Sequence, residues 1–139
     1  MAMLSARQPI EDYLIANWPE VDVPLVFENA IAPNPDPPAP WIYVEIYDRS
    51  YQQKSIGSGD PDVEFWREEG VLTGYVNVPI GTGAREASRL AQVLVMLLRG
   101  VVIGDANITF YDSTVGAGDP GTERGKYWQL VAKIDWERN

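Results

Sequence analysis

The chain predicts an α+β fold: a mainly antiparallel sheet with one long amphipathic helix and a short N-terminal helix packed on it, and a projecting β-hairpin. Three observations carry this expectation. Residues 41–51 and 63–79 are long β-forming runs on either side of a turn-rich stretch, which is the pattern of a hairpin with a long tip. The stretch from Gly70 to Gly100 reads as a strand, a proline–glycine corner and then a helix. Residues 126–136 alternate apolar and polar side chains, as a half-buried strand does.

Taken in order, Pro9 suits a first helical position, with Glu11 and Asp12 in the first turn. Ile10, Tyr13, Leu14 and Trp18 recur at helical spacing until Pro19 stops the pattern, so a short helix is expected over residues 9–17. Residues 25–28 form a short strand. Residues 32–40, APNPDPPAP, hold five prolines and must be an extended connection, because proline cannot donate to a ladder. Trp41 to Tyr51 then alternates, with Ile42, Val44 and Ile46 on one face and Trp41, Tyr43, Glu45 and Tyr47 on the other. The second long run, 63–79, is expected to bend or bulge at Gly70 or Gly74.

The main helix follows at 83–99. Ala87, Leu90, Ala91, Leu94, Leu97 and Leu98 form its apolar stripe, and Gly100 fits a left-handed C-cap. Strands at 106–111 and 126–136 complete the set, joined by a glycine-rich loop, 112–125. At 139 residues the whole, 1–139, is one domain with room for a real core.

Composition narrows the chemistry. There is no cysteine, so there is no disulfide, thiolate nucleophile or cysteine-ligated zinc. There is no histidine either, which removes the commonest general acid–base group near neutral pH and the commonest metal ligand. A net charge of −9 opposes nucleic-acid binding by phosphate neutralisation. No run approaches the roughly 18 apolar residues of a membrane span, and MAMLSARQPIEDY lacks the apolar core of a leader, so neither is expected.

Specific motifs fail on inspection. Gly81-Thr82-Gly83 is followed by Ala84, Arg85 and Glu86, with neither the Lys-Ser/Thr of a phosphate loop nor a third glycine. Asp60, Asp62 and Glu64 open like a calcium loop, but Phe65 and Val71 stand where glycine and a bidentate glutamate are required. No spacing singles out a pair among Glu45, Glu64, Glu68 and Glu69 for glycoside hydrolysis. No catalytic, cofactor or metal residue is therefore expected.

The aromatics are the remaining signal. Trp41, Tyr43, Tyr47, Tyr75 and Tyr127 fall opposite the aliphatic sheet face, where either further helices or neighbouring subunits would cover them. With Met96 on the polar side of the main helix, the candidate interface set is Tyr43, Tyr47, Tyr51, Trp66, Tyr75, Met96 and Tyr111. The long loops at 51–62 and 112–125 fit segments that order on assembly.

Three stretches, PLVFENAIAP, WIYVEI and GVLTGYVNVPIGTGAREASRLAQVL, occur in an order that resembles the tail terminator (tail-completion) proteins of long-tailed bacteriophages and related particles. The matching positions are Phe27, Glu28, Asn29 and Pro33, then Gly81, Thr82, Gly83, Ala84 and Ala91. The proline-dense segment 33–40 and the loop 112–125 depart from the pattern.

The resemblance implies a non-enzymatic virion protein of the tail–neck region, present in the host cytoplasm during assembly. It would form a homo-oligomer, a hexameric ring that caps the head-proximal end of the tail tube and ends its polymerisation. Its partners would be the tail tube protein and a neck or head-completion protein, with DNA passing through the lumen unbound and no cofactor or membrane involved. Asp60, Asp62, Glu64, Glu68 and Glu69 would then face an acidic lumen or a basic partner. The alternatives are another neck or tail-tube protein, and a small ligand-binding or hydrolytic domain that uses the aromatics and acids.

Overall fold

In the computed structural model, which describes residues 3–53, 66–116 and 121–139, two helices lie on one face of a mostly antiparallel sheet. The elements are α1 (Leu4–Asn17), β1 (Leu25–Phe27), β2 (Trp41–Gln53), β3 (Trp66–Pro79), α2 (Ala84–Leu98), β4 (Val102–Ile103), β5 (Ile108–Val115), β6 (Thr122–Arg124) and β7 (Tyr127–Arg138). Across the sheet the order is β1-β2-β3-β7-β5-β4, with β6 also paired to β7. Among the described strands only β1 runs parallel to its neighbour, β2, because the proline-rich connection carries the chain back to the starting end.

Alternation decides which face is buried. Ile42, Val44 and Ile46 of β2 stand in register with Val76, Gly74 and Leu72 of β3, and these with Leu130, Ala132 and Ile134 of β7. Onto this face α2 lays Ala87, Leu90, Ala91, Leu94 and Leu98, and α1 lays Ala6, Ile10 and Leu14, all buried in one core. Each large aliphatic side chain so buried contributes about 1.5–3 kcal/mol. Gly74 sets the height of α2, since a β-carbon there would meet the Leu94 side chain. The expected corner is present, with Gly81 at φ 90° and Gly83 at φ 82°, a conformation that costs other residues dearly. Gly100 ends α2 in the left-handed region, as its position implied.

Four expectations need correction. The N-terminal helix is not a short one over 9–17; it begins at Leu4, so α1 has 14 residues against 15 in α2. Pro9 sits inside it, because Ala6 and Arg7 are buried and tertiary anchoring fixes the start upstream. Neither Gly70 nor Gly74 bulges β3. The irregularity is in β2, between Asp48 and Ser50 opposite Gly70, and a second lies in β5 between Phe110 and Ser113. Finally, the loop expected at 112–125 is partly strand: β5 continues to Val115, and Thr122–Arg124 pairs with β7.

β2 and β3 pair antiparallel from Trp41↔Asn77 to Gln53↔Trp66. The expected tip between them, with Asp60, Asp62 and Glu64, lies outside the described residues.

Candidate functional site: the open face of the sheet

With both helices on the aliphatic face, the other side of the sheet carries no helix among the described residues. The strand register places Trp41, Tyr43, Glu45 and Tyr47 of β2 there, beside Asn77, Tyr75, Thr73 and Val71 of β3. Tyr127, Gln129, Val131, Lys133 and Asp135 of β7 complete the face. Trp41 and Tyr127 meet edge to face with ring centres 6.2 Å apart, and Tyr43 lies 6.0 Å from Tyr75. Beside them an amide chain runs across three strands, Arg124 Nε donating to Gln129 Oε1 (3.1 Å) and Gln129 Nε2 to Asn77 Oδ1 (3.0 Å).

Several polar groups on this face are buried without a hydrogen-bond partner among the described residues: Trp41 Nε1, Thr73 Oγ1 and the Tyr127 hydroxyl. Such atoms each cost free energy until something satisfies them. Burial, together with a hydrogen bond to Glu45, pushes the Tyr75 hydroxyl up to about 12. Burial raises the Tyr43 hydroxyl too, aided by Glu28 and Glu45. These phenols stay neutral donors across the physiological range.

The two bulges lie on neighbouring levels of the sheet, the β5 one opposite Asp135 and the β2 one just beyond the Tyr47–Val71–Asp135 rung. Their extra residues aim Arg49 at Asp135, an ion pair of 3.5 Å, and bring Asp112 to the same place. A cavity of about 280 Å³ opens between Tyr47, Arg49, Val71, Asp112, Lys133 and Asp135. Tyr111 stands beside it, 40% exposed, its hydroxyl raised chiefly by burial and then by Asp135. Glu69 is opposite Glu137 nearby, so this end of the face is acidic.

Tyr43, Tyr47, Tyr75 and Tyr111 are thus brought to one surface. Tyr51 and Trp66 are not. The bulge at Arg49 shifts the alternation, so Tyr51 stands in register with Glu68 on the helix-bearing side, where it stacks on Trp66 at 5.3 Å. Met96 is exposed on the outer surface of α2, remote from the tyrosines, with Arg99 Nη1 3.7 Å from its sulfur.

Glu68 corrects the expectation that it faces a lumen or partner: it is wholly buried. Its carboxylate pairs with Arg138 Nη2 at 2.8 Å and accepts from the Met3 N–H at 3.3 Å, which seats it at the N-terminus of α1. Burial still raises its pKa above the ordinary 4.5.

Sequence reasoning passed over Arg7, Arg49 and Asp112. Arg7 Nη1 donates to Glu28 Oε1 at 2.6 Å, and the same oxygen accepts the Ile46 N–H at 2.7 Å. Glu28 therefore continues the β1–β2 ladder with its side chain where β1 ends, while Arg7 ties α1 to it. Arg49 gave no signal, because the residue that makes a bulge looks like one more strand residue, and Asp112 fell in the stretch expected to be a glycine-rich loop. Lys133 and Asp135 were placed on the non-aliphatic side by alternation, but nothing local joined them to Arg49.

Among the described residues, no group of three or more carboxylates is arranged to hold a metal ion, and no helix is long and apolar enough to cross a membrane. No family model matches the chain, and no curated protein does. Solved structures do match. One aligns with 100% of this chain and 96% of its own at 17% identity, with a TM-score of 0.71. That protein carries no functional name, and at this identity the likeness is one of fold alone.

Proposed function

We propose that this chain is a structural, non-catalytic assembly protein of the tail-terminator kind: a subunit that associates into a ring, caps a tail tube and presents a joining surface to a neck protein. The observation that carries the proposal is the one-sided build of the molecule. Both helices pack on one sheet face, and the other holds an aromatic band with buried polar atoms still lacking partners. Tyrosine and tryptophan anchors in such a band are what subunit interfaces use. In this reading α2 is the main packing helix, and β2 and β3 are the arms of a hairpin that reaches beyond the core. Tyr43, Tyr47, Tyr75 and Tyr111 contact a neighbouring subunit, with Tyr51, Trp66 and Met96 on separate contacts. Asp60, Asp62, Glu64 and Glu69 contribute to an acidic lumen, past which DNA moves without binding.

The resemblance in Phe27-Glu28-Asn29 and Gly81-Thr82-Gly83 supports the reading, although both motifs here serve the fold: Glu28 closes a strand ladder and the glycines turn a corner. Sedimentation velocity and native mass spectrometry test it. The expected result is a closed ring, or a monomer that becomes one on the ends of purified tail tubes. A protein that stays monomeric and ignores tubes overturns it, and filaments formed by the protein alone would assign it to the tube instead.

A further inference from the structure

A second surface, on the other side of the molecule from the aromatic band, has its own chemistry. One side of α1 and the β4–β5 turn enclose a groove of about 760 Å³, within the range of sites that bind ligands. Leu4, Pro9, Tyr13 and Ala16 form the α1 wall, and Ile103 and Ala106 face them. Leu4 is 71% exposed, so this wall presents apolar surface outward while Ala6, Ile10 and Leu14 of the same helix serve the core. The Tyr13 hydroxyl is turned away toward the Leu97 carbonyl at 3.5 Å, which leaves its ring as floor.

The charge on the rim has one sign. Asp12 and Asp105 are exposed there, and α1 ends beside them at Asn17 with no basic residue in its last turn. The negative end of the helix therefore adds to their charge, although the Asn17 amide and the Trp18 N–H cap the Tyr13 and Leu14 carbonyls. Arg138 also lines the groove, but its guanidinium is held by Glu68 at 2.8 Å and by Ser5 Oγ at 2.7 Å. The cavity therefore offers an apolar floor under an anionic rim.

We propose that this groove docks an amphipathic helix of another protein, one that sets its apolar side on Tyr13, Ala16 and Ile103 and places a lysine or arginine between Asp12 and Asp105. The 14 residues of α1 give the groove a length of roughly 20 Å, enough for three to four turns of a docked helix. This goes beyond the ring reading and does not depend on it.

The probe is a synthetic leucine-rich amphipathic peptide flanked by lysines, with a glutamate-flanked counterpart, titrated into the full chain by fluorescence anisotropy and amide NMR. The lysine peptide is expected to bind saturably, to shift the amides of Tyr13, Ala16 and Ala106, and to weaken in high salt. The glutamate peptide is expected to bind about tenfold more weakly or worse, and both Ala16→Trp, which fills the groove, and the double change Asp12→Lys with Asp105→Lys should lose a similar factor. Those three positions are exposed, and unchanged thermal melts verify that the variants fold. Absence of saturable binding, equal binding of the two peptides, or loss of binding on Val131→Lys with Ala16→Trp unaffected would overturn the proposal. So would self-association that Ala16→Trp abolishes, since the occupant would then be a second copy.

Discussion

Two glutamates separated by 40 residues solve opposite problems. Glu28 is half-buried and acts as a surrogate backbone carbonyl: its Oε1 takes the Ile46 N–H and Arg7 together. Replacing it by alanine orphans the strand amide and leaves Arg7 with Glu11 as its remaining carboxylate partner, at 3.0 Å. Urea unfolding of Glu28→Ala should register a loss of about 2–3 kcal/mol, the scale of a charged hydrogen bond left unmade. A loss below about 0.5 kcal/mol, the level of an exposed pair, would contradict this role.

Glu68 is buried outright, and burial holds its carboxyl above the ordinary 4.5 despite Arg138 and the Met3 N–H. The native state then binds a proton more readily than the unfolded chain. Stability contributed by this group is full below pH 4.5 and is lost as pH rises through the raised native value, after which the profile is flat. Thermal melts of wild type and Glu68→Gln across pH 4–8 isolate the effect. The advantage of the wild type over the variant should shrink as pH climbs from the ordinary glutamate range, and an advantage that grows instead would reverse the assignment.

Among the elements, β3 and α2 are locked through a missing side chain. The space above Gly74 belongs to Leu94, so Gly74→Ala should destabilise by about 1–3 kcal/mol through overpacking. Leu94→Ala should cost about 2–5 kcal/mol by leaving a cavity. Combined, the new methyl enters the vacated volume, and the double variant should be more stable than the sum by about 1 kcal/mol in denaturant titrations. Strict additivity would mean that the two do not touch.

The same elements explain what could be read in the chain. β2, β3, β7 and α2 were legible because period-2 and period-3.6 patterns are written into Ile42–Ile46, Leu130–Trp136 and Ala87–Leu98 themselves. The start of α1 was not, since it depends on Arg7 reaching a glutamate 21 residues away and on Met3 reaching one 65 away. The candidate face was half legible: alternation separates Tyr43 and Tyr75 from the core, but parity fails after Arg49, and with it the placing of Tyr51, whereas Glu68 keeps the parity of Leu72 and Gly74 on the helix-bearing side. Neither bulge has a local signature, so no reading of residue types would have found the Arg49–Asp135 pair.

For the molecule as a whole, the question is which side meets a neighbour. Tyr43→Ser and Val131→Lys lie on the open face, away from the core, and should weaken self-association at least tenfold, about 1.4 kcal/mol, while leaving the melting temperature of the monomer nearly unchanged. Met96→Lys lies on the outer surface of α2, 52% exposed, and should leave that association as it was. Sedimentation of the three variants side by side distinguishes a sheet-face ring from one built through α2. If Met96→Lys alone disperses the oligomer, the aromatic band is not the subunit contact.

The closeness of the two bulges in the sheet has a consequence for register. A strand normally cannot gain or lose a residue without turning every later side chain to the wrong face. Here β2 and β5 each carry a surplus residue on neighbouring levels of the sheet, the one opposite Gly70 and Glu69 and the other opposite Asp135. At those two places a strand could lose its surplus residue and restore a regular ladder, so that Ile42–Ile46 and Leu130–Ile134 would keep their faces toward the helices.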